Sequence, residues 1–212
     1  MASCQLSERS IEMQKPAPTD HPTNDLITHR WSPRAFATKP VPADVLRSLF
    51  EAARWAPSSN NEQPWAYLVA TPDDALNFAN LVSVLVEFNA NWAKKAPVLA
   101  LAVSELTFAK NGTPNRNAQY DTGAASALLT VEATSRGLFV HQMAGFDPLK
   151  ARQVFGIPEG WDPIAALAIG YPGDARTLPQ PYQDREAAPR TRKPLREFVM
   201  TGQWGHTATF LK

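Results

Sequence analysis

The sequence predicts a domain of mixed α and β class, a sheet covered by helices on both faces. Three observations predict it. Apolar runs of strand length alternate with segments whose apolar residues recur at helical spacing. One run, VLALAV over 98–103, is continuously apolar, as in a strand buried on both sides. The chain, 212 residues with 44% hydrophobic residues, is long enough for one core and has no internal repeat or low-complexity tract.

Residues 1–24 are polar, with Pro16, Pro18 and Pro22, and read as a flexible leader; 25–212 read as one domain. DLITHR, from Asp25, predicts a short helix ended by Trp31-Ser32-Pro33. Pro42 opens a second helix at a first-turn position, and Asp44 suits the positive end of its dipole. Val45, Leu46, Leu49, Phe50 and Ala53 give that helix a buried face, and Pro57 stops it. WAYLVAT reads as a strand. Asp73 to about Lys95 reads as one long helix ended by Pro97. VLALAV is followed by a loop over 105–117. Gln119 to Arg136, rich in Ala, Leu and Thr, predicts a buried helix capped by Gly137. LFVHQM is a short strand, PLKARQVFG a helix capped by Gly156, and DPIAALAIGYP the last strand. Residues 173–194 are proline-rich and aperiodic, predicting an extended crossing segment. LREFVM beyond it is apolar enough to need a partner.

Lys plus Arg is 21 and Asp plus Glu is 20, so no bulk field draws in nucleic acid or an anionic membrane. Cys4 is the single cysteine, which excludes an intramolecular disulfide framework and suggests a reducing compartment. No apolar run approaches a membrane span of about 18 residues. MASCQLSERSIEMQK lacks the apolar centre of a signal peptide, so the expected location is cytoplasmic.

Familiar reactive constellations are missing from the sequence: no GxGxxG or Walker loop, no GxSxG elbow, and four histidines (His21, His29, His141, His206) without metal-ligand spacing. An enzyme with this sequence borrows its reactive group. The cations say more. His29-Arg30-Trp31-Ser32-Pro33-Arg34 puts two guanidiniums and a hydroxyl in one short turn, and Arg190-Thr191-Arg192-Lys193 puts three cations in four residues. Such clusters are either solvated loops or halves of a phosphate site, because guanidinium forks match phosphate oxygens. Pro57-Ser58-Ser59-Asn60-Asn61, between a helix and a strand, is likewise either a plain loop or a wall of hydrogen-bonding groups for a polar ligand.

Taken together, RWSPRAF, APSSNNEQPW, GLFVHQMAGF and RTRKPL, in that order over about residues 25 to 198, resemble the nitroreductase family of flavin enzymes. The resemblance implies an α+β fold of three layers, a mostly antiparallel sheet flanked by helices, in a homodimer whose C-terminal arm reaches the partner. It implies FMN at the dimer interface, in sites built from both chains. Arg30, Trp31, Ser32 and Arg34 then line the flavin phosphate and pyrimidine edge. Arg190 and Arg192, with Lys193 as an alternate, bind the phosphate or the N1/O2 side. Pro57, Ser58, Ser59 and Asn61 contact the flavin of the opposite subunit, over a structural base of Gln63 and Trp65; plain core is the preferred reading of Trp65. Gln142, Met143, Ala144 and Gly145 lie along the isoalloxazine and present a backbone N–H to N5. Some family members carry Glu where this chain has Ala144, so the substrate class does not transfer.

The implied activity is an oxidoreductase passing hydride from NAD(P)H through FMN to a nitroaromatic, quinone or similar acceptor by alternating occupancy of one face, with no catalytic side chain. Alternatives are dehalogenation, peptide oxidation or flavin fragmentation, or a non-enzymatic flavin-binding protein. His141 is expected to face out of its strand, with a proton-donor role as the alternative. Asn89 or Asn91 is a looser candidate for contact with the flavin.

Overall fold

A computed structural model describes residues 15–211 of the chain. Four strands form one sheet in the order β1-β2-β4-β3, with every neighbouring pair antiparallel. They are β1 (Trp65–Ala70), β2 (Val98–Glu105), β3 (Phe139–Met143) and β4 (Trp161–Gly170). The helices are α1 (Asp25–His29), α2 (Ala43–Arg54), α3 (Ala75–Val84), α4 (Glu87–Ala93), α5 (Ala118–Ser135), α6 (Pro148–Phe155) and α7 (Gln180–Ala187).

The continuous apolar run of β2 has the predicted cause. Leu99, Leu101 and Val103 pack with Leu81, Val84, Trp92 and Ala151, from α3, α4 and α6. Val98, Ala100 and Ala102 pack with Leu49 and Ala53 of α2 and Ala125, Leu129 and Ala133 of α5. Successive side chains of a strand point to opposite faces, so a central strand between two helical layers is apolar at every position. The architecture is therefore α+β in three layers. Gly137 and Gly156 end α5 and α6 with positive φ, 71° and 61°, where glycine carries no Cβ penalty.

Three expectations are corrected. The helix expected over Asp73 to Lys95 is two helices, α3 and α4. Leu85 turns extended and pairs with Phe146, while Val86 N–H bonds Gly145 O at 3.1 Å and Asp147 N–H bonds Val84 O at 2.8 Å. Pairing with the 145–147 turn outweighs local helix propensity. The expected extended segment over 173–194 contains α7. Pro179 is its N-cap and Pro181 lies in its first turn, where proline costs no hydrogen bond. Helix α7 buries only Tyr182 and Glu186, too little for a visible period. Finally, Pro42 is the N-cap of α2 rather than a residue of its first turn.

Of the leader, 1–14 and Cys4 lie outside the described residues. Within them, Ala17 N–H bonds Thr28 O at 2.8 Å and Lys15 reaches the Glu186 carbonyl. Beyond Pro194, Phe198, Trp204 and Phe210 are exposed, Trp204 at 92%.

Candidate functional site

The Arg30–Arg34 loop follows α1 and lies along the free edge of β3. Trp31 meets Phe139 edge-on at 6.1 Å, and Pro33 O accepts a 2.9 Å hydrogen bond from His141 Nδ1. One guanidinium ties three segments together. Arg190 Nη1 donates to Lys15 O (2.6 Å) and Thr28 O (2.7 Å), and its Nη2 donates to Arg30 O (2.7 Å). Arg30 Nη1 reaches Ser32 Oγ at 3.3 Å. From α7, buried Glu186 accepts the Arg34 backbone N–H at 3.1 Å and Arg34 Nη1 at 3.4 Å. Lys15 Nζ sits 5.3 Å above the Trp31 ring.

Five cations (Lys15, Arg30, Arg34, Arg190 and Arg192) therefore neighbour one another; Lys15 and Arg34 face the Glu186 carboxylate, while Arg30, Arg190 and Arg192 repel each other. Among the described residues, Arg30, Arg190 and Arg192 have no ion-pair partner. Burial first, then repulsion from Arg190 and Arg192, lowers the pKa of Arg30; burial and Arg192 lower that of Arg190. Burial lowers that of Lys15, against the attraction of Glu186. Burial also raises Glu186 above the ordinary carboxylate value, outweighing the help of Arg34. The cluster is short of negative charge. Two buried donors on the same loop, Trp31 Nε1 and Arg34 Nε, also lack acceptors. An acceptor-rich anion fits this set.

The Ser/Asn stretch forms a tight elbow ahead of β1. Asn60, Asn61 and Gln63 have φ of 54°, 57° and 53°. Asparagine visits this left-handed region more readily than most residues, yet three such residues in four is a strained run. Internal bonds hold it: Gln63 N–H to Ser58 Oγ (3.0 Å), Asn61 N–H to Ser58 O (3.0 Å) and Gln63 Nε2 to Asn61 O (3.1 Å). Ser59 N–H donates to Asp121 Oδ2 of α5 at 2.9 Å, and Glu62 accepts from Ala109 N–H. Pro57 is exposed, and Trp65 is partly buried against the α2/α5 layer.

At the end of β3, Met143 is buried in the core and the Gln142 amide donates to Thr130 Oγ1 at 3.2 Å. The backbone N–H groups of Ala144 and Gly145 have no acceptor among the described residues. Gly145 O accepts from Val86 N–H and, at 3.0 Å, from Asn89 Nδ2; a Cβ on Gly145 would stand 2.5 Å from that nitrogen. Asn89 thus braces the turn, whereas Asn91 is exposed on α4. Gly145→Ala is expected to displace Asn89 and to destabilise the protein by about 1 kcal/mol, the scale of one neutral hydrogen bond. Urea unfolding of the variant beside Asn89→Ala checks this, and the two losses should match.

His141 corrects another expectation. Its ring does not face out of the strand: it lies tilted against Trp92, with the ring centres 4.6 Å apart, and Nδ1–H donates to Pro33 O. Burial holds its pKa down to about 4, against an ordinary 6.5. The folded pKa lies below the unfolded one, so this stability is present above about pH 6.5 and is lost as pH falls toward 4. Between pH 7.5 and pH 5 the loss from this group is about 2 kcal/mol. Urea unfolding at both values should show that much less acid sensitivity in His141→Phe, which keeps a ring against Trp92.

The arginine loop and the elbow stand at opposite corners of the sheet. The loop flanks β3, and Phe36 beyond it pairs with Pro172, past the Phe139/Gly170 end. The elbow enters β1, the other edge, at the Trp65/Ser104 end. Three strand spacings and five residues of rise separate them by on the order of 20 Å. One chain therefore brings together Arg30, Trp31, Ser32, Arg34, Arg190, Arg192 and the 142–145 turn along one edge. Pro57, Ser58, Ser59 and Asn61 lie away from them. Lys193 is exposed beside Arg192. Sequence reasoning missed Lys15, Glu186 and Asp121. No group of three or more potential metal ligands occurs among the described residues, and none of their helices is long and apolar enough to cross a membrane.

Comparison with known proteins places the chain. The model of the nitroreductase family matches residues 27–171. A solved structure described as an oxidoreductase containing FMN is 32% identical, covers 90% of this chain and 97% of its own, and superposes with a TM-score of 0.85. A 15.4 kDa protein of Mycolicibacterium smegmatis is 39% identical over 132 residues, 61% of this chain and 85% of that one. The NADH dehydrogenase of Thermus thermophilus is 28% identical over 203 residues, 81% of this chain and 91% of that protein.

Proposed function

The chain belongs to the nitroreductase family, and on that premise we propose that it is an FMN-dependent oxidoreductase, taking hydride from NAD(P)H and delivering it to a nitroaromatic, quinone or similar small acceptor. The observation that carries the reading is the group of guanidiniums on Arg30, Arg190 and Arg192 without a carboxylate among them. A flavin phosphate supplies the missing charge.

Arg30 and Arg192 bind that phosphate, with the Ser32 hydroxyl completing its shell. Arg190 has both terminal nitrogens committed to backbone carbonyls, so its main work is to hold Arg30 in place. The bare donors Trp31 Nε1 and Arg34 Nε suit the acceptor atoms of the same ligand. The free N–H groups of Ala144 and Gly145 would donate to the ring beside its reactive nitrogen. Bound FMN supplies the hydride chemistry, accepting from the nicotinamide and giving to the acceptor. The chain binds and orients, and donor and acceptor use one open face in turn. No side-chain acid or base is required of it, and His141, bare of a proton on Nε2 at neutral pH, is not a general acid there.

A second copy of the chain supplies the elbow. The corner-to-corner separation within one chain supports this, as does α5. Its outward side carries Tyr120, 81% exposed, with Ala124 and Leu128. An apolar stripe left on the outside of a helix that is already packed on its other side is a surface that a partner covers. Exposed Trp204 and Phe210 on the tail fit an arm laid on the partner, and the protein acts in the cytoplasm. The test is direct: purified protein is mixed with FMN, its visible spectrum recorded, and NADH and NADPH consumption followed anaerobically with a small panel of acceptors. A bound-flavin spectrum with acceptor-dependent oxidation is expected; no flavin binding contradicts the reading.

A further inference from the structure

We infer that Asp121, on the buried side of α5, is a positioning residue for the flavin wall: its carboxylate sets the Ser58–Asn61 elbow in the shape that a neighbouring copy's flavin meets. The inference rests on the flavin reading above.

Asp121 is 4% exposed, and its Oδ2 accepts the Ser59 backbone N–H at 2.9 Å. The elbow's bonds from Gln63 N–H to Ser58 Oγ and from Gln63 Nε2 to Asn61 O are internal and move with it. Glu62 ties it to Ala109, an exposed residue of the 105–117 loop. Pro64 O and β1 fix its far end. At its near end Asp121 is the link to the core. That link is rigid in turn, because the next residue, Thr122, bonds Ser104 Oγ of β2 at 3.0 Å.

Three left-handed residues do not hold their shape unaided; such runs persist where the surroundings over-determine them. A buried carboxylate is a costly way to satisfy one amide, and a neutral side chain would do it more cheaply. What the carboxylate adds is a stronger and more directional bond. Its place on α5 gives that bond a purpose. Tyr120 and Ala124, on either side of Asp121, belong to the outward apolar face that meets the second copy. One helix therefore carries both the dimer contact and the elbow's anchor, so the wall is registered to the interface and, through it, to the neighbour's flavin. The elbow serves the ring side of the ligand, remote from the guanidiniums, so the effect should not depend on the phosphate.

The experiment compares wild type, Asp121→Ala and Asp121→Asn, each titrated with FMN and with riboflavin. Amide exchange at 58–63 and thermal unfolding are followed in the apo proteins. Asp121→Ala is expected to weaken both ligands by the same factor, about tenfold, the loss of one charge-assisted hydrogen bond. Ser59 should lose exchange protection, and the apo melting temperature should fall by roughly 3–6 °C, the scale of one such bond. Asp121→Asn keeps an amide oxygen as acceptor and should recover most of both losses. It also keeps the test decisive if the alanine variant does not fold. Unchanged affinity with an unprotected Ser59, or a loss confined to FMN, overturns the inference. Wild-type protein that binds neither ligand overturns the flavin reading itself, a different result.

Discussion

Replacing Arg30 and Arg192 together by alanine is expected to weaken FMN binding by about 10²–10⁴-fold while leaving riboflavin binding within about threefold. Each charged hydrogen bond contributes roughly 1.5–3 kcal/mol, and the two are summed here. Riboflavin differs from FMN only by the phosphate, so the ratio of the two affinities isolates the charge the arginines supply. Both side chains lack an acidic partner among the described residues, so their removal strands no carboxylate there, and the apo fold should keep its stability or gain slightly from reduced repulsion. Arg190→Ala should behave differently. It frees the carbonyls of Lys15, Thr28 and Arg30, so stability of the apo protein falls along with FMN affinity. Paired titrations of both ligands with apo melting curves separate the two roles. A double variant that keeps its FMN-to-riboflavin ratio removes these residues from the phosphate site.

Glu186→Ala is expected to destabilise the apo protein by about 3 kcal/mol, the lower part of the range for breaking a buried ion pair from one side. Its side chain is 4% exposed and that of Arg34 17%, so deletion leaves a guanidinium and the Arg34 backbone N–H without their acceptor. Lys15 also loses the attraction of that carboxylate. For that reason the variant should gain more stability than wild type at one fixed FMN concentration; where that concentration is one hundred times the variant's dissociation constant, the gain is about 2.7 kcal/mol. Urea unfolding with and without FMN measures both numbers. An apo stability equal to wild type would show that the pair holds nothing in place.

Much of this architecture was legible because it is written in periodicity. The unbroken apolar stretch of β2 announced a central strand, and Gly137 and Gly156 marked two helix ends that the backbone confirms. Where reading failed, the deciding force was non-local. Leu85 leaves the helix because the 145–147 turn offers it a partner. Helix α7 has too little buried surface for any pattern and is recognisable only once Glu186 is seen under Arg34. His141 sits in a strand whose alternation says nothing of the Pro33 loop folded over it. The site divides in the same way. The arginines and the Ser/Asn elbow were visible as local clusters of donors. Lys15, Glu186 and Asp121 act across 171, 152 and 62 positions of chain, a separation at which no spacing rule operates.

The claim beneath all of this is that each flavin lies between the arginine edge of one chain and the elbow of another. Mixed dimers test it most directly. One chain carries Arg30→Ala and Arg192→Ala, the other Ser58→Ala, Ser59→Ala and Asn61→Ala, and FMN stoichiometry is measured on the isolated hybrid. In that hybrid one site has both halves intact and the other has neither. The account predicts one tight FMN per two chains, where each parental homodimer has none; a hybrid with no tight site would mean that each chain builds its site alone, and would contradict it.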